Sequence, residues 1–133
     1  MKHFLLFCSA LVMFVAGCAQ TYVGELTTNS YTYKNAKMEL TEQGTTVTLL
    51  MKHVKFAKLM PVKVDVEVKG LTGNKQQGTL SIKGHNIVPL SNGKPHQKHT
   101  IYNFVGKMSP TTLTFDCLMG EKKVSFRGRP SHQ

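Results

Sequence analysis

The sequence predicts an all-β fold, an eight-stranded antiparallel barrel of up-and-down order that follows an N-terminal signal. Three observations predict it. Residues 62–69 alternate without a break between valine and a charged side chain, and this period of two is typical of a strand with one buried face. Segments with the same alternation recur along the chain at short spacings. After residue 18, no segment shows the 3.6-residue period of an amphipathic helix.

The strand candidates extend from shortly after residue 18 almost to the C-terminus. Three of them precede residues 62–69, and a turn region at residues 70–78 separates that strand from the next. The last two are expected to form a hairpin that turns at Gly120–Glu121. In chain order the candidates are TYVGELT, AKMELTE, TTVTLLMKHVKF, VKVDVEVK, TLSIKG, HTIYNFVGKM, TLTFDCLM and KVSFRGR.

Eight alternating strands in one short domain are compatible with either a closed barrel or a two-sheet sandwich. A barrel closes the sheet on itself, which removes the exposed strand edges that promote aggregation. The connections between the candidates are mostly of hairpin length, and this favours up-and-down order over a Greek key. The interior of an eight-stranded barrel holds packed side chains or one small ligand.

The most apolar run of the chain lies at residues 4–16, and it is too short to span a membrane. At about 1.5 Å per helical residue it would reach roughly 20 Å, whereas a bilayer core needs about 30 Å. Lys2 and His3 precede the run, and small residues follow it. A basic start, a short apolar middle and a small-residue end are typical of a secretory signal. The alternative is a buried core helix, but the run has no polar face and no N-cap residue.

The end of this run, Val-Ala-Gly-Cys at residues 15–18, resembles the lipobox of bacterial lipoprotein signals. The resemblance implies that residues 1–17 are a signal peptide and that a peptidase cleaves before Cys18. The thiol of Cys18 would then carry a diacylglycerol, and the new amino group a further acyl chain such as palmitate. Ala19, where some lipoproteins have Asp, resembles signals sorted to the outer membrane. We therefore expect a lipid-anchored envelope protein on the periplasmic face, while an ordinary signal with a chance cysteine is the alternative.

The remaining chain, residues 18–133, resembles the calycin-like domain of small bacterial lipoproteins. The likeness rests on YVGELT near its start, TTVTLLMKHVKF, KGLTGNKQQGTLSIKG and the closing LTFDCLMGEKKVSFRG. Such domains often open with a Tyr-x-Gly-x-Leu strand, which corresponds here to residues 22–26. The resemblance implies a lipocalin-type barrel with a largely unassigned role. The chain has no Trp, so it lacks the Gly-x-Trp that lipocalins carry near the first strand.

The charge of the chain indicates the class of partner, and its cysteines indicate which thiol stays free. The net charge is +10, which favours anionic partners such as headgroups or an anionic envelope polymer. A solvated cationic surface is the simpler interpretation. Secretion makes nucleic acid a poor candidate. Of the three cysteines, the resemblance places Cys8 in the signal and makes Cys18 the acyl acceptor, so Cys117 is expected to be a buried free thiol.

No catalytic motif stands out, and we expect neither an enzyme nor a cofactor. The sequence contains no Gly-x-Ser-x-Gly and no Walker loop. Asp65 and Glu67 alternate with inward valines, so their carboxylates are predicted to face solvent. His96 and His99 have a spacing that can bind a metal, but neighbouring lysines and the absence of nearby carboxylates favour ordinary loop histidines. We therefore expect no metal site.

Two functions remain open. The first is a non-enzymatic module that binds a small apolar or amphipathic ligand inside the barrel. The second is a structural or interaction lipoprotein whose filled barrel offers a basic surface to envelope polymers or to a protein partner. An inhibitor of a secreted enzyme would rest on analogy of fold alone. The inward residues proposed to line a ligand pocket are Val64, Val66, Leu80, Ile82, Phe115 and Phe126.

Overall fold

The computed structural model describes residues 18–29 and 31–131, and the predicted signal at residues 1–17 lies outside them. This part of the chain forms ten β-strands and one short 3-10 helix, η1, and none of its helices is long and apolar enough to cross a membrane. In chain order the elements are β1 (Cys18–Thr28), β2 (Tyr31–Gln43), β3 (Thr46–Val54), β4 (Val64–Gln76), β5 (Thr79–Gly84), β6 (Leu90–Ser91), β7 (Lys94–Pro95), η1 (Gln97–His99), β8 (Ile101–Met108), β9 (Leu113–Met119) and β10 (Lys122–Pro130).

The eight longer strands close into one antiparallel barrel. The order around it is β1, β2, β3, β4, β5, β8, β9 and β10, and β10 pairs with β1 to complete the ring. Each of these strands is next to its neighbour in the chain, apart from the small β6–β7 hairpin between β5 and β8. The β9–β10 hairpin turns at Gly120–Glu121, as expected, because Met119 pairs with Lys122. The predicted all-β, eight-stranded up-and-down barrel is therefore confirmed, and the architecture is compatible with a lipocalin-like fold.

The body of the barrel is filled by side chains. Buried and more exposed residues alternate along β9, as the period of a strand requires. Phe115 of β9 stacks between Phe104 of β8 and Phe126 of β10, with ring centroids 4.9 Å and 5.5 Å apart. Burial of large aromatic side chains and their offset stacking both stabilise the fold. The middle of the barrel is thus a packed core.

Four β-bulges bend the strands, and each contains a residue at positive φ. These residues are Asn35 (61°), His53 (49°), Gly70 (90°) and Asn103 (53°). A bulge places two residues opposite one, which bends the strand and increases its twist. At the β3 bulge, the backbone N–H of His53 donates to Asp65 Oδ1 at 2.7 Å. The bulges supply the curvature that a sheet needs in order to close on itself.

The prediction of a turn region at residues 70–78 is wrong for most of its length. β4 continues to Gln76, and the chain reverses only at residues 77–78. Residues of low strand preference are kept extended here because β4 pairs with β3 on one side and β5 on the other. The inward position expected for Val62 is also wrong, since β4 begins at Val64 and Val62 is 62% exposed.

Cys117 is a buried free thiol, as expected. Burial, followed by the charge of the neighbouring Asp116, raises its pKa from 9.0 to about 12. The folded pKa lies above that of the unfolded chain, so the buried neutral thiol stabilises the fold fully below about pH 9. This contribution is lost as the pH rises from 9 towards 12.

We predict that Cys117 is almost unreactive in the folded barrel. In a chain that begins at residue 18 and carries Cys18→Ser, Cys117 is the sole thiol. A disulfide reagent at mildly alkaline pH should modify it at least about 100-fold more slowly than in guanidinium chloride, because the reactive species is the exposed thiolate. The melting temperature of the same chain should fall as the pH is raised above 9. Equal reaction rates in the folded and unfolded chain would contradict the burial.

Candidate functional site

The two ends of the barrel differ in their connections. One end contains the start of β1, and we call it the Cys18 end. The three connections at this end, β2–β3, β4–β5 and β8–β9, are all short. At the other, the cavity end, two longer segments lie between strands. Residues 55–63 connect β3 to β4, and residues 85–100 connect β5 to β8. Long loops on a rigid scaffold are the usual place for a binding site.

A cavity of about 340 Å³ opens between these two segments. That volume is at the small end of the range of about 300–1,000 Å³ found for small-molecule sites. Most of its wall is apolar, and Phe56, Val66 and Met119 at the barrel side of the cavity are almost fully buried. The full set of lining residues is Phe56, Met60, Val64, Val66, Pro89, Leu90, Ser91, His96, His99, Met119 and Lys122.

The β3–β4 segment forms one wall, and hydrogen bonds fix its shape. The buried hydroxyl of Thr28 donates to the carbonyl oxygen of Phe56 at 2.5 Å. The backbone N–H of Phe56 faces the sulfur of Met60 at 3.1 Å, and the N–H of Met60 donates to the carbonyl of Ala57 at 3.2 Å. These contacts turn Phe56 and Met60 towards the cavity, while Leu59 between them is 91% exposed.

The opposite wall is the segment at residues 85–100, which contains the β6–β7 hairpin. Its turn is Asn92–Gly93, and both residues have positive φ, as a type I′ turn requires. Leu90 pairs with Glu67 of β4, which holds the hairpin against the barrel. The N–H of His96 then donates to the carbonyl of Pro89 at 3.0 Å. This return brings His96, which precedes η1, and His99, the last residue of η1, to the mouth of the cavity.

Positive charge surrounds the cavity end. Six lysines lie in the segments that form it, and we call them the basic rim. The acidic side chains at this end include Asp65, which contacts His53, Glu67, which pairs with Lys69, and Glu121 in the β9–β10 turn. No carboxylate is among the lining residues. The basic rim consists of Lys55, Lys58, Lys63, Lys94, Lys98 and Lys122.

The six residues proposed from the sequence divide into two groups. Val64 and Val66 line the cavity. The other four are buried in the packed core and lie below it in the barrel body, namely Leu80, Ile82, Phe115 and Phe126. A role in ligand binding stays a prediction for all six.

The residues that sequence reasoning missed come mainly from the two long segments. Met60 and Leu90 have no position in a regular alternation. Phe56 closes a strand candidate in the sequence, but β3 ends at Val54 and Phe56 lies in the connecting segment. One signal was available, because Asn92–Gly93 is a strong hairpin dipeptide. It would have indicated the short hairpin and its return towards the cavity.

His96 and His99, which have a metal-binding spacing in the sequence, lie near each other at the mouth of the cavity. The rings of His96 and His99 have centroids 6.4 Å apart. Within residues 19–29 and 31–131, no group of three or more His, Cys, Asp or Glu side chains is placed to hold an ion. His85 lies elsewhere, where its Nδ1 accepts the backbone N–H of Asn103 at 3.2 Å.

Comparisons of the chain with protein-family models, with curated proteins and with solved structures found no match. The fold and the cavity are therefore the observations on which a function can be proposed.

Proposed function

We propose that this chain is a lipid-anchored protein of the cell envelope that binds a small apolar or amphipathic ligand in the cavity at the end of its barrel. One observation carries the proposal, namely the apolar cavity of about 340 Å³ beside an otherwise filled core. Apolar clefts with a few polar groups at the mouth are the usual form of small-molecule sites. The role is binding, without catalysis, and the ligand class is the one expected from the barrel interior.

The anchor in this proposal is Cys18, acylated after removal of residues 1–17. Its support is the Val-Ala-Gly-Cys sequence and the apolar run before it. The likeness of the strand pattern to calycin-like domains of small lipoproteins supports the same assignment. The proposed location is the outer membrane, on its periplasmic face, with no nucleic acid as partner.

The binding proposal is tested with a fluorescent apolar probe. A chain that begins at Cys18 with Cys18→Ser contains every strand of the barrel and should bind N-phenylnaphthylamine with enhanced fluorescence. Val64→Phe projects a larger ring into the cavity and should weaken probe binding at least about tenfold, since overpacked sites do not relax easily. Val105→Phe is the matched control, because Val105 is 57% exposed on the outside of β8. Equal binding by both variants would refute the proposal.

The second candidate is an interaction lipoprotein with a filled barrel and a basic surface. The packed aromatic core and the basic rim favour it. In that case an anionic envelope polysaccharide should bind the chain at low salt and dissociate at high salt. Val64→Phe would leave that binding unchanged. Binding that is insensitive to salt would argue against this electrostatic form.

A further inference from the structure

Lys122 differs from the other lysines of the basic rim because it lines the apolar cavity itself. It is the first residue of β10, and Val124 and Phe126 on the same side of that strand are buried in the barrel. Successive side chains of a strand point to opposite faces. Lys122 therefore lies on the cavity side of β10, whereas Lys123 lies on the outer side.

No carboxylate neutralises Lys122 in the described chain. The ion pairs among those residues join Lys52 to Glu39, Lys69 to Glu67 and Lys75 to Glu42, with His53 close to Asp65. No Asp or Glu lines the cavity. An unpaired ammonium group at the mouth of an apolar cavity is thus available for a charge from outside the chain.

Two imidazoles lie at the same mouth. His96 and His99 both line the cavity, and both side chains can donate a ring N–H. Every polar side chain at the mouth can therefore donate a hydrogen bond, and the hydroxyl of Ser91 and a neutral imidazole can also accept one. This set suits an anion, and the apolar wall formed by Phe56, Met60 and Val66 suits a hydrocarbon chain.

We propose that the ligand is an anionic single-chain amphiphile, with its carboxylate or phosphate on Lys122 and its chain in the apolar cavity. This inference rests on the binding function proposed above. A neutral apolar ligand would use the same walls and would leave Lys122 without a partner. A carboxylate or phosphate would instead form a charge-assisted hydrogen bond, which is stronger than a neutral one.

The test compares ligands that differ in the headgroup alone. Decanoate, decyl phosphate and decanol are titrated against N-phenylnaphthylamine bound to the chain that begins at residue 18 with Cys18→Ser. We expect both anions to displace the probe at lower concentration than decanol does. The two anions distinguish a carboxylate headgroup from a phosphate headgroup. The anion that displaces the probe at the lower concentration identifies the preferred headgroup.

The matched pair of variants is Lys122→Gln and Lys123→Gln. Each removes one positive charge from the same end of β10, so the two change the overall field equally. Lys122→Gln should weaken displacement by the preferred anion about fivefold, near the upper end of what one exposed ion pair contributes, and should leave displacement by decanol unchanged. Lys123→Gln should behave as the parent chain.

The outcomes separate this inference from the function on which it rests. Probe binding with equal displacement by decanol and by the anions would overturn the anionic ligand and leave the cavity function standing. Equal effects of Lys122→Gln and Lys123→Gln would also overturn it, because the anions would then be attracted by the overall positive charge and not by Lys122. Failure of the probe and of all three amphiphiles to bind would overturn both proposals.

Discussion

Replacing Cys18 with alanine should abolish the incorporation of radiolabelled palmitate and release the protein from the membrane fraction. A single acyl chain gives only reversible membrane binding, whereas two or three chains anchor a protein durably, at about 0.8 kcal/mol per buried methylene. The loss of Cys18 removes the acceptor of the diacylglycerol, so the expected effect is all or none. The measurement is autoradiography of the cell fractions.

Cys117→Ala is the control for this experiment. Cys117 is buried in the barrel core, so its removal should leave both the labelling and the membrane association as in the parent. The control also excludes palmitate attached to the second thiol of the mature chain. Persistent labelling of the Cys18→Ala variant would refute the anchor assignment.

The proposed anchor at Cys18 and the cavity lie at opposite ends of the barrel. β1 begins at Cys18 itself, so few residues separate the acyl chains from the barrel. The cavity lies at the opposite end, and a tilted strand of 11 residues at about 3.3 Å per residue places it roughly 30 Å from the anchor. With the proposed anchor, a ligand would therefore reach the cavity from the aqueous side, and not directly from the leaflet that holds the acyl chains.

The strands could be predicted from the sequence because each carries its own alternation of buried and exposed residues. Residues 62–69 show this most clearly, although the strand begins two residues later than the pattern does. Up-and-down order followed from the short connections. These features are local, and local patterns are what a single sequence displays.

The bulges and the cavity could not be predicted in the same way. The sequence predicts a turn at Gly70 because glycine is common in turns, yet the pairing of β4 with β3 makes it a bulge inside β4. The choice depends on neighbouring strands, and periodicity contains no information about them. The cavity is formed by two segments distant in sequence, residues 55–63 and 85–100, and the barrel alone brings them together.

The filled core argues against the simplest form of the binding hypothesis, in which a ligand occupies the middle of the barrel. The stacked rings of Phe104, Phe115 and Phe126 occupy its middle. The space proposed for a ligand is therefore a terminal cleft, built as much from connecting segments as from strands. Inward-facing strand positions identify the core well, but they identify the cavity only where a strand reaches that end, as Val64 and Val66 do.

Gly24→Ala should destabilise the barrel strongly, although it adds a single methyl group. β1 and β10 pair here with Gly24 opposite Gly128, and a β-carbon on Gly24 would overlap the backbone of Arg127 and Gly128. Backbone cannot move aside as a flexible side chain can, so the strand that completes the ring must shift. We expect a loss of about 3 kcal/mol in the free energy of unfolding and a fall of roughly 10–20 °C in melting temperature.

The matched control is Gly78→Asn, in the β4–β5 turn. Gly78 has a φ of 81°, and no atom lies within 4 Å of the place of its β-carbon. Asparagine tolerates positive φ better than most residues, so the free energy of unfolding should change by no more than about 0.5 kcal/mol. Thermal denaturation followed by circular dichroism measures both variants. Equal melting temperatures for Gly24→Ala and Gly78→Asn would contradict this prediction. They would mean that the backbones of β1 and β10 are far enough apart at Gly24 and Gly128 to accommodate a β-carbon.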